Sequence, residues 1–103
     1  MKVSSLVAAE VRDRFSEKEA LLVLSAFEAA ELPFLEDESR TRERARVQLA
    51  VLKLANGSLS AFEQWLREAC VDWRDVLVAA GMAHENWLRV LREAGFRVPE
   101  GPP

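Results

Sequence analysis

The sequence contains little of the chemistry from which active sites are usually built. Its 103 residues include one histidine, His84, and one cysteine, Cys70. A zinc site would need three or four nitrogen or sulfur ligands at close spacing, and the chain offers two, so no metal site is predicted. A cysteine–histidine nucleophile pair needs hydrogen-bond contact, and nothing in the sequence brings the two residues together. We therefore expect no catalytic residue, no metal and no cofactor.

Glycine clusters and long apolar runs are also missing. The four glycines stand alone, at Gly57, Gly81, Gly95 and Gly101, which excludes a glycine-rich phosphate loop. No stretch approaches the roughly 20 uninterrupted apolar residues of a membrane-spanning helix, and charged residues interrupt the first 15 residues before a secretion signal could form. A single cysteine excludes a disulfide within the chain. We expect a cytoplasmic protein with neither a membrane nor a small molecule as partner.

Charge is distributed unevenly along the chain. Residues 1–38 carry nine acidic residues and four basic ones, whereas residues 39–55 carry five basic residues and Glu43 as the only acidic one. Opposite charge on two segments of one small protein favours contact between them. We expect this contact within one chain or between two copies.

Helix signals are present along most of the chain. Ser16-Glu17-Lys18-Glu19 is a capping box, in which the serine hydroxyl accepts from the amide three residues later. It predicts a helix from about Glu17 to Glu31, before Leu32-Pro33 ends the helical geometry. The interior of this helix, ALLVLSAFEAA, is apolar on nearly all sides. This pattern predicts a central, buried helix.

The middle of the chain predicts further helices. One runs over about residues 40–55 and ends at Asn56-Gly57, where glycine takes left-handed geometry without steric cost. The segment Ser60-Ala61-Phe62-Glu63 repeats the capping-box pattern and predicts a new helix start. The helical phase then continues unbroken through residue 80. A single bent helix over residues 60–80 is therefore one interpretation.

The other interpretation of this region, which we favour, is two helices divided at Asp72. An aspartate is a preferred N-cap residue. Val71 and Val76 lie at the spacing of a hydrophobic staple across such a cap.

The two ends of the chain complete the predicted fold. Short helices are expected over residues 5–14 and 84–94, and no alternating β pattern is present. The fold class is all-α, a compact bundle of five to six short and medium helices. Residues 1–98 form a single domain, and residues 99–103 form a frayed tail of proline and glycine.

An arginine series, Arg40, Arg42, Arg44 and Arg46, occupies every second position at the start of the helix over residues 40–55. Positions two apart on a helix differ by about 200°, so Arg40 and Arg44 share one side and Arg42 and Arg46 the other. A nucleic-acid groove favours arginines on one stripe. The helix dipole disfavours cations at this end, and the acidic triplet at residues 36–38 lies just upstream. Ion pairing, within the chain or across an interface, is the favoured interpretation.

The apolar segment Leu32-Pro33-Phe34-Leu35 lies between two predicted helices. Exposed apolar groups in a loop are unfavourable unless something covers them. These side chains either close the end of the bundle or contact a partner. Together with the arginine series, Leu32, Phe34 and Leu35 are therefore the candidate partner-interface residues, and a homodimer would also cover a face of the helix over residues 17–31.

Nucleic-acid binding is the alternative hypothesis. Residues 72–95 have the outline of a helix-turn-helix, with a turn at Gly81. The basic residues available for phosphate contact in this hypothesis are Arg40, Arg44, Arg89 and Arg92. The segment itself is almost neutral, and phosphate binding depends on basic charge. The alternative is therefore the weaker one.

Two blocks, RVQLAVLKLANGSL at residues 46–59 and DWRDVLVAAGMA at residues 72–83, resemble blocks at similar spacing in a group of short uncharacterised bacterial proteins. The resemblance covers roughly the C-terminal half of the chain. It implies a small bacterial cytoplasmic helical protein and brings no catalytic or binding residue with it. The function expected from the sequence is a small non-enzymatic helical module for self-association or contact with another protein.

Overall fold

The computed structural model describes residues 1–97. The elements are α1 (Ser5–Arg14), α2 (Glu17–Ala29), a 3₁₀ turn (Glu38–Arg40), α3 (Thr41–Ala55), α4 (Leu59–Ala79) and α5 (Trp87–Glu93). No strand occurs in these residues, and the predicted all-α bundle is confirmed. The predicted proline and glycine tail, residues 99–103, lies outside the described residues.

The four longer helices pack around one core. α3 packs mainly against α4 and also against α1, whereas α2 packs against α1 and α4. The helices α2 and α3 therefore lie at opposite corners of a four-helix arrangement. α5 covers one end of it, because Trp87 and Leu91 are buried.

Serine N-caps explain where three of the helices begin: Ser4 for α1, Ser16 for α2 and Ser58 for α4. The predicted cap at Ser16 is confirmed, since its Oγ accepts from the amide of Glu19 at 3.2 Å. The predicted start at Ser60 is wrong by two residues. Ser58 is the N-cap of α4 and accepts from the amide of Ala61 at 3.2 Å. The reason is the preceding turn, in which Asn56 and Gly57 are both left-handed and the chain becomes extended at residue 58.

Helix α4 contains a break at Asp72. This residue has φ −151° and ψ 96°, and its Oδ1 accepts from the amide of Arg74 at 3.1 Å. Asp72 thus caps a second helical segment, so the favoured interpretation of two segments divided here is confirmed. The predicted staple is wrong, because Val71 is 81% exposed while Val76 is buried.

The prediction that α2 is the central, buried helix is also wrong. α3 has the most buried residues: Arg44, Val47, Gln48, Leu49, Ala50, Val51, Leu52 and Ala55. In α2 only Ala20, Val23 and Phe27 are buried, and Leu21 and Leu22 are 65% and 52% exposed. The physical reason is position, since α2 occupies a corner whose outer side no other described element covers.

The segment that follows α5 is fastened to α1. The backbone amide of Arg97 donates to Oε1 of the buried Glu10 at 2.6 Å, and Nε of Arg14 donates to Oε2 at 3.2 Å. The Arg14 guanidinium lies 3.5 Å from the ring centre of Phe96. These contacts satisfy the buried carboxylate and close the bundle on the side of α1.

Candidate interaction surface

The connection from α2 to α3 contains a tight turn over residues 32–35. The amide of Leu35 donates to the carbonyl of Leu32 at 3.0 Å, so Pro33 and Phe34 are the two central residues. Phe34 has φ 69°. A positive φ at the second central residue identifies a type II turn, where proline is favoured first and glycine or asparagine second. A phenylalanine in this left-handed geometry is strained by about 1–2 kcal/mol.

Several contacts hold this turn in place. The amide of Leu32 donates to Oε2 of Glu36 at 2.9 Å, and the indole Nε1 of Trp73 donates to the carbonyl of Pro33 at 2.8 Å. Leu32 and Leu35 are both buried, so these two predicted partner-contact residues close the end of the bundle. Phe34, between them, is 86% exposed. The turn thus fixes one aromatic ring outside the protein.

Arg44 supports the same turn from α3. It is only 3% exposed, and its Nη1 donates to the carbonyl oxygens of Leu35 and Asp37 at 2.7 and 2.8 Å. Its Nη2 lies 3.4 Å from Oγ1 of Thr41. A buried guanidinium needs such partners to offset its desolvation. Arg44 is therefore a structural clamp between α3 and the turn, although it was predicted as a surface contact.

The other members of the arginine series lie on different surfaces. Arg42 and Arg46 both lie over the ring of Trp87, at 5.5 and 5.3 Å from its centre, as expected for residues that share a side. Arg46 also donates to the carbonyl of Met82, through Nε at 3.0 Å and Nη2 at 2.5 Å. Burial, with the nearby positive charge of Arg42, lowers the pKa of Arg46 from its usual value. Arg40 lies 3.8 Å from Glu43.

The acidic triplet has other partners than the arginine series. Oδ1 of Asp37 accepts from the amide of Ser39 at 2.8 Å, which lowers the pKa of the Asp37 carboxyl. Glu38 pairs with Lys2 at 2.7 Å, and this contact lowers the pKa of Glu38. Between residues 1 and 97 the triplet therefore forms no ion pair with the arginine series, whose one ion pair there joins Arg40 to Glu43. Ion pairing across an interface stays a prediction. Arg44 and Arg46 bind carbonyl oxygens instead, because helix and turn ends offer unpaired carbonyls nearby.

An open apolar groove runs between α2 and α4, with a volume of about 640 Å³. We call it the α2–α4 groove. Its apolar lining consists of Ala26, Ala29, Ala30, Leu66, Cys70 and Val71. The side chains from α2 are all alanine, so the cleft between the two helices is left unfilled. The exposed Val71 lies beside the break at Asp72 and extends the apolar surface.

Two charged residues on α4 complete the lining of the α2–α4 groove. Glu63 and Arg67 are one helical turn apart. Neither forms an ion pair with any residue between 1 and 97. The groove therefore presents one carboxylate and one guanidinium side by side, both open to a partner.

The turn and the groove are neighbours on the molecule. Ala30 lines the groove and Pro33 follows it by three residues, with its carbonyl held by Trp73. Trp73 follows the groove residue Val71 by two positions. The exposed Phe34 is consequently anchored next to the end of the groove that Ala30 and Val71 form.

Cys70 and His84, the two residues considered for catalysis or metal binding, lie in different places. Cys70 lies in the α2–α4 groove, whereas His84 lines an open depression with Ala83, Glu85 and Asn86. Within residues 1–97 no group of three or more histidine, cysteine or carboxylate side chains could hold a metal ion. The structure therefore does not bring the two candidate nucleophilic and basic residues into one site.

The helix-turn-helix outline is shorter than predicted. α5 begins at Trp87, so His84 and Glu85 precede it and are outside the helix. Arg89 is exposed and lies 3.9 Å from Glu93, while Arg92 is also on the exposed side. The nucleic-acid alternative also includes Arg40 and Arg44, and Arg44 is buried. These residues do not form one contiguous basic face.

Sequence reasoning missed the residues that line the α2–α4 groove. Val71 was assigned to a staple, and Cys70 was considered only as a metal ligand or a nucleophile. The run of alanines at residues 26–30 was the available signal, because small side chains between larger ones leave space beside a helix. The proline before Phe34 was a second signal, since it favours the first central position of a turn.

The chain has no match among models of protein families, among curated proteins or among solved structures. The resemblance of residues 46–59 and 72–83 to bacterial proteins therefore stays a prediction. Between residues 1 and 97, no helix combines the length and the apolar character needed to cross a membrane.

Proposed function

We propose that this protein is a non-enzymatic helical module that associates with a second copy of itself. The observation that carries the proposal is the exposed apolar surface formed by the α2–α4 groove and Phe34. The exposure of an apolar surface to water is unfavourable, and a contiguous exposed apolar patch usually marks an interaction site.

The chemistry of the groove favours a protein partner over a small molecule. Its lining is apolar apart from Glu63 and Arg67. Small-molecule sites usually combine an enclosed cavity with several converging polar groups. The α2–α4 groove is shallow and open and supplies only Glu63 and Arg67. The depression around His84 is lined by polar residues but is open and does not enclose a ligand.

Two features favour a second copy as that partner. A two-fold contact brings the same surface of both copies together, so the surface must be complementary to itself. The α2–α4 groove carries one negative and one positive residue, Glu63 and Arg67, so its charges balance and two copies can approach each other without repulsion. The same surface carries both a recess, the groove, and a protrusion, Phe34.

Nucleic-acid binding through Arg40, Arg44, Arg89 and Arg92 has less support. Arg44 is buried and its Nη1 is committed to backbone carbonyls. Arg40 and Arg89 are exposed, but each lies within 4 Å of a carboxylate, on Glu43 and Glu93 respectively. Phosphate affinity depends on the number of free basic groups. Few of these four arginines are free to bind phosphate.

The proposal places the module in the bacterial cytoplasm, where its single cysteine stays reduced. Contact with a different protein through the same surface is the alternative within this class. In either case the exposed members of the predicted interface, Phe34, Arg40 and Arg42, are available to a partner, while Leu32, Leu35 and Arg44 hold the turn that supports them.

Sedimentation velocity over a range of concentrations tests the proposal. We expect a monomer–dimer equilibrium with a Kd on the order of micromolar, about −8 kcal/mol of association free energy. A chain that remains monomeric up to about 1 mM, which corresponds to roughly −4 kcal/mol, contradicts the proposal.

A further inference from the structure

We infer that the contact between two copies is reciprocal, with Phe34 of each chain inserted into the α2–α4 groove of the other. This inference rests on the proposed self-association and names the two parts of the surface that meet. It assigns Phe34 as the anchor and the α2–α4 groove as its receptor.

The first argument is the conformation of Phe34. Its φ of 69° is one that a phenylalanine adopts only under strain, and the position favours glycine or asparagine. Strained residues of this kind persist where the surrounding structure fixes them, and they cluster at functional sites. Here the buried side chains of Leu32 and Leu35 and the clamp from Arg44 fix the turn.

The second argument is that these contacts hold the ring away from its own protein. Phe34 is 86% exposed, although an apolar groove lies next to its turn. The carbonyl of Pro33 is bonded to Trp73, so the turn cannot fold onto the groove without losing that hydrogen bond. The backbone position of Phe34 is therefore fixed, which lowers the entropy lost when its ring enters a partner.

The third argument is the fit between the groove and an aromatic ring. The groove is lined by three alanines of α2 and by Leu66, Cys70 and Val71 of α4. Small side chains on one wall leave room for a flat ring, and the other wall offers branched and sulfur-containing groups that pack against it. Aromatic residues inserted in pockets are the usual anchors of protein interfaces.

The fourth argument is symmetry. Phe34 is anchored beside one end of the groove, so a two-fold axis close to that end lets each ring enter the other chain's groove at the same time. Glu63 and Arg67 lie further along α4. With the axis at the other end of the groove, these two residues flank the contact and do not pair with each other across it.

Four single variants test the anchor by sedimentation velocity. Phe34→Ala removes the ring and keeps the left-handed position unfavourable, whereas Phe34→Asn removes the ring and suits that position. Ala29→Arg blocks the groove from an exposed site. Leu21→Ala is the control, because Leu21 is also apolar and exposed but lines a different groove with Arg12 and Leu24.

The expected result is a loss of dimer affinity of at least tenfold in Phe34→Ala, Phe34→Asn and Ala29→Arg, with less than a twofold change in Leu21→Ala. At a concentration where all chains are monomeric, Phe34→Asn should raise the Tm by a few degrees and Phe34→Ala should leave it nearly unchanged. A purely structural role for Phe34 would instead lower the Tm in both variants.

Disulfide trapping tests the contact directly. In Phe34→Cys the new thiol should lie beside Cys70 of the other copy, so oxidation by diamide should give a covalent dimer on non-reducing gels. The double variant Phe34→Cys/Cys70→Ser removes the receiving thiol and should lose this dimer. Leu21→Cys, which retains Cys70, is the positional control and should not be trapped.

The outcomes separate the two proposals. A wild-type chain that stays monomeric overturns both the self-association and this inference. A wild-type dimer whose Kd is unchanged in Phe34→Ala and Ala29→Arg, with no trapped dimer in Phe34→Cys, overturns the anchor and leaves self-association standing through another surface.

Discussion

Helices α2 and α3 show a contrast between composition and burial. α2 is the more apolar helix by composition, yet Leu21 and Leu22 on it are exposed. α3 begins with the arginine series and contains Gln48, yet it has the most buried residues of any helix. The more polar helix is therefore the more buried one.

This contrast shows that the burial of a helix depends on which elements pack against it. α3 packs mainly against α4 and is clamped to the turn by Arg44. Its buried polar side chains form hydrogen bonds, although Nε of Arg44 has no partner within residues 1–97. Arg44 donates to two carbonyl oxygens, and Nε2 of Gln48 donates to the carbonyl of Lys2 at 2.9 Å. Polar groups can be buried when they are hydrogen-bonded. The corner helix α2 has apolar residues beyond those the core uses, and this excess forms one wall of the α2–α4 groove.

The largest expected difference between the two helices concerns leucine truncation. Leu52→Ala in α3 removes a fully buried side chain and should reduce the free energy of unfolding by about 2–5 kcal/mol. Leu22→Ala in α2, measured on the monomer, should cost less than about 1 kcal/mol, because the side chain is half exposed. Urea unfolding followed by circular dichroism measures both. Equal losses would contradict the burial contrast.

A smaller effect is expected within the arginine series. Arg44→Ala should lower the free energy of unfolding by roughly 2–3 kcal/mol, because two carbonyl oxygens lose a charged donor in a buried place. Arg42→Ala is the control on the exposed side and should change stability by less than about 0.5 kcal/mol. Chemical denaturation compares the two. If both variants were equally stable, Arg44 would not act as the clamp between α3 and the turn.

A smaller loss of stability is expected from a substitution at the break in α4. Asp72→Ala removes the cap of the second helical segment and should cost about 1 kcal/mol. Asp75→Ala, which changes an exposed aspartate in the same segment outside the cap, is the matched control and should have little effect. Thermal unfolding of the two variants distinguishes them. An Asp72→Ala chain as stable as the control would mean that the side chain does not stabilise the break.

The smallest expected effect is a dependence on pH at the start of α3. The pKa values of Asp37 and Glu38 are lowered from 3.8 and 4.5 by hydrogen bonds to Ser39 and Lys2. A carboxyl whose pKa is lower in the folded state stabilises the fold above its unfolded pKa, and this contribution is lost as the pH falls through the folded value.

Thermal unfolding between about pH 6 and pH 2 measures this effect, with most of the change expected below about pH 4.5. Both groups are exposed, so the contribution is small. Glu38→Gln should reduce the acid-dependent part of the Tm change. A variant whose profile matches that of the wild type would show that the pair of Glu38 with Lys2 does not contribute.

Much of the fold could be predicted from local signals in the sequence. The capping box at Ser16, the left-handed stop at Asn56-Gly57 and the cap at Asp72 gave helix positions, because each depends on residues adjacent in the chain. The burial of α3 could not be predicted in this way. It depends on which helices become neighbours, and the apolar run in α2 suggested the opposite.

The candidate surface was predicted only in part. The segment that contains Phe34 was recognised as apolar and unusual, and a contact face on α2 was expected. The α2–α4 groove itself could not be predicted, because it is formed by residues more than 30 positions apart, such as Ala30 and Leu66. The partners of Arg44 and Arg46 were missed for a related reason. Every residue has a backbone carbonyl, so the sequence does not indicate which carbonyl oxygens will accept from an arginine.

The claim that a second copy covers the α2–α4 groove is tested most directly by NMR spectra recorded across a dilution series, from roughly tenfold below to tenfold above the measured Kd. We predict that the amide signals that move with concentration belong to Ala26, Ala29, Phe34, Leu66 and Val71, and that those of Leu21 and Leu24 stay fixed. Concentration-dependent shifts confined to α3 and α5, with the groove unchanged, would contradict the claim.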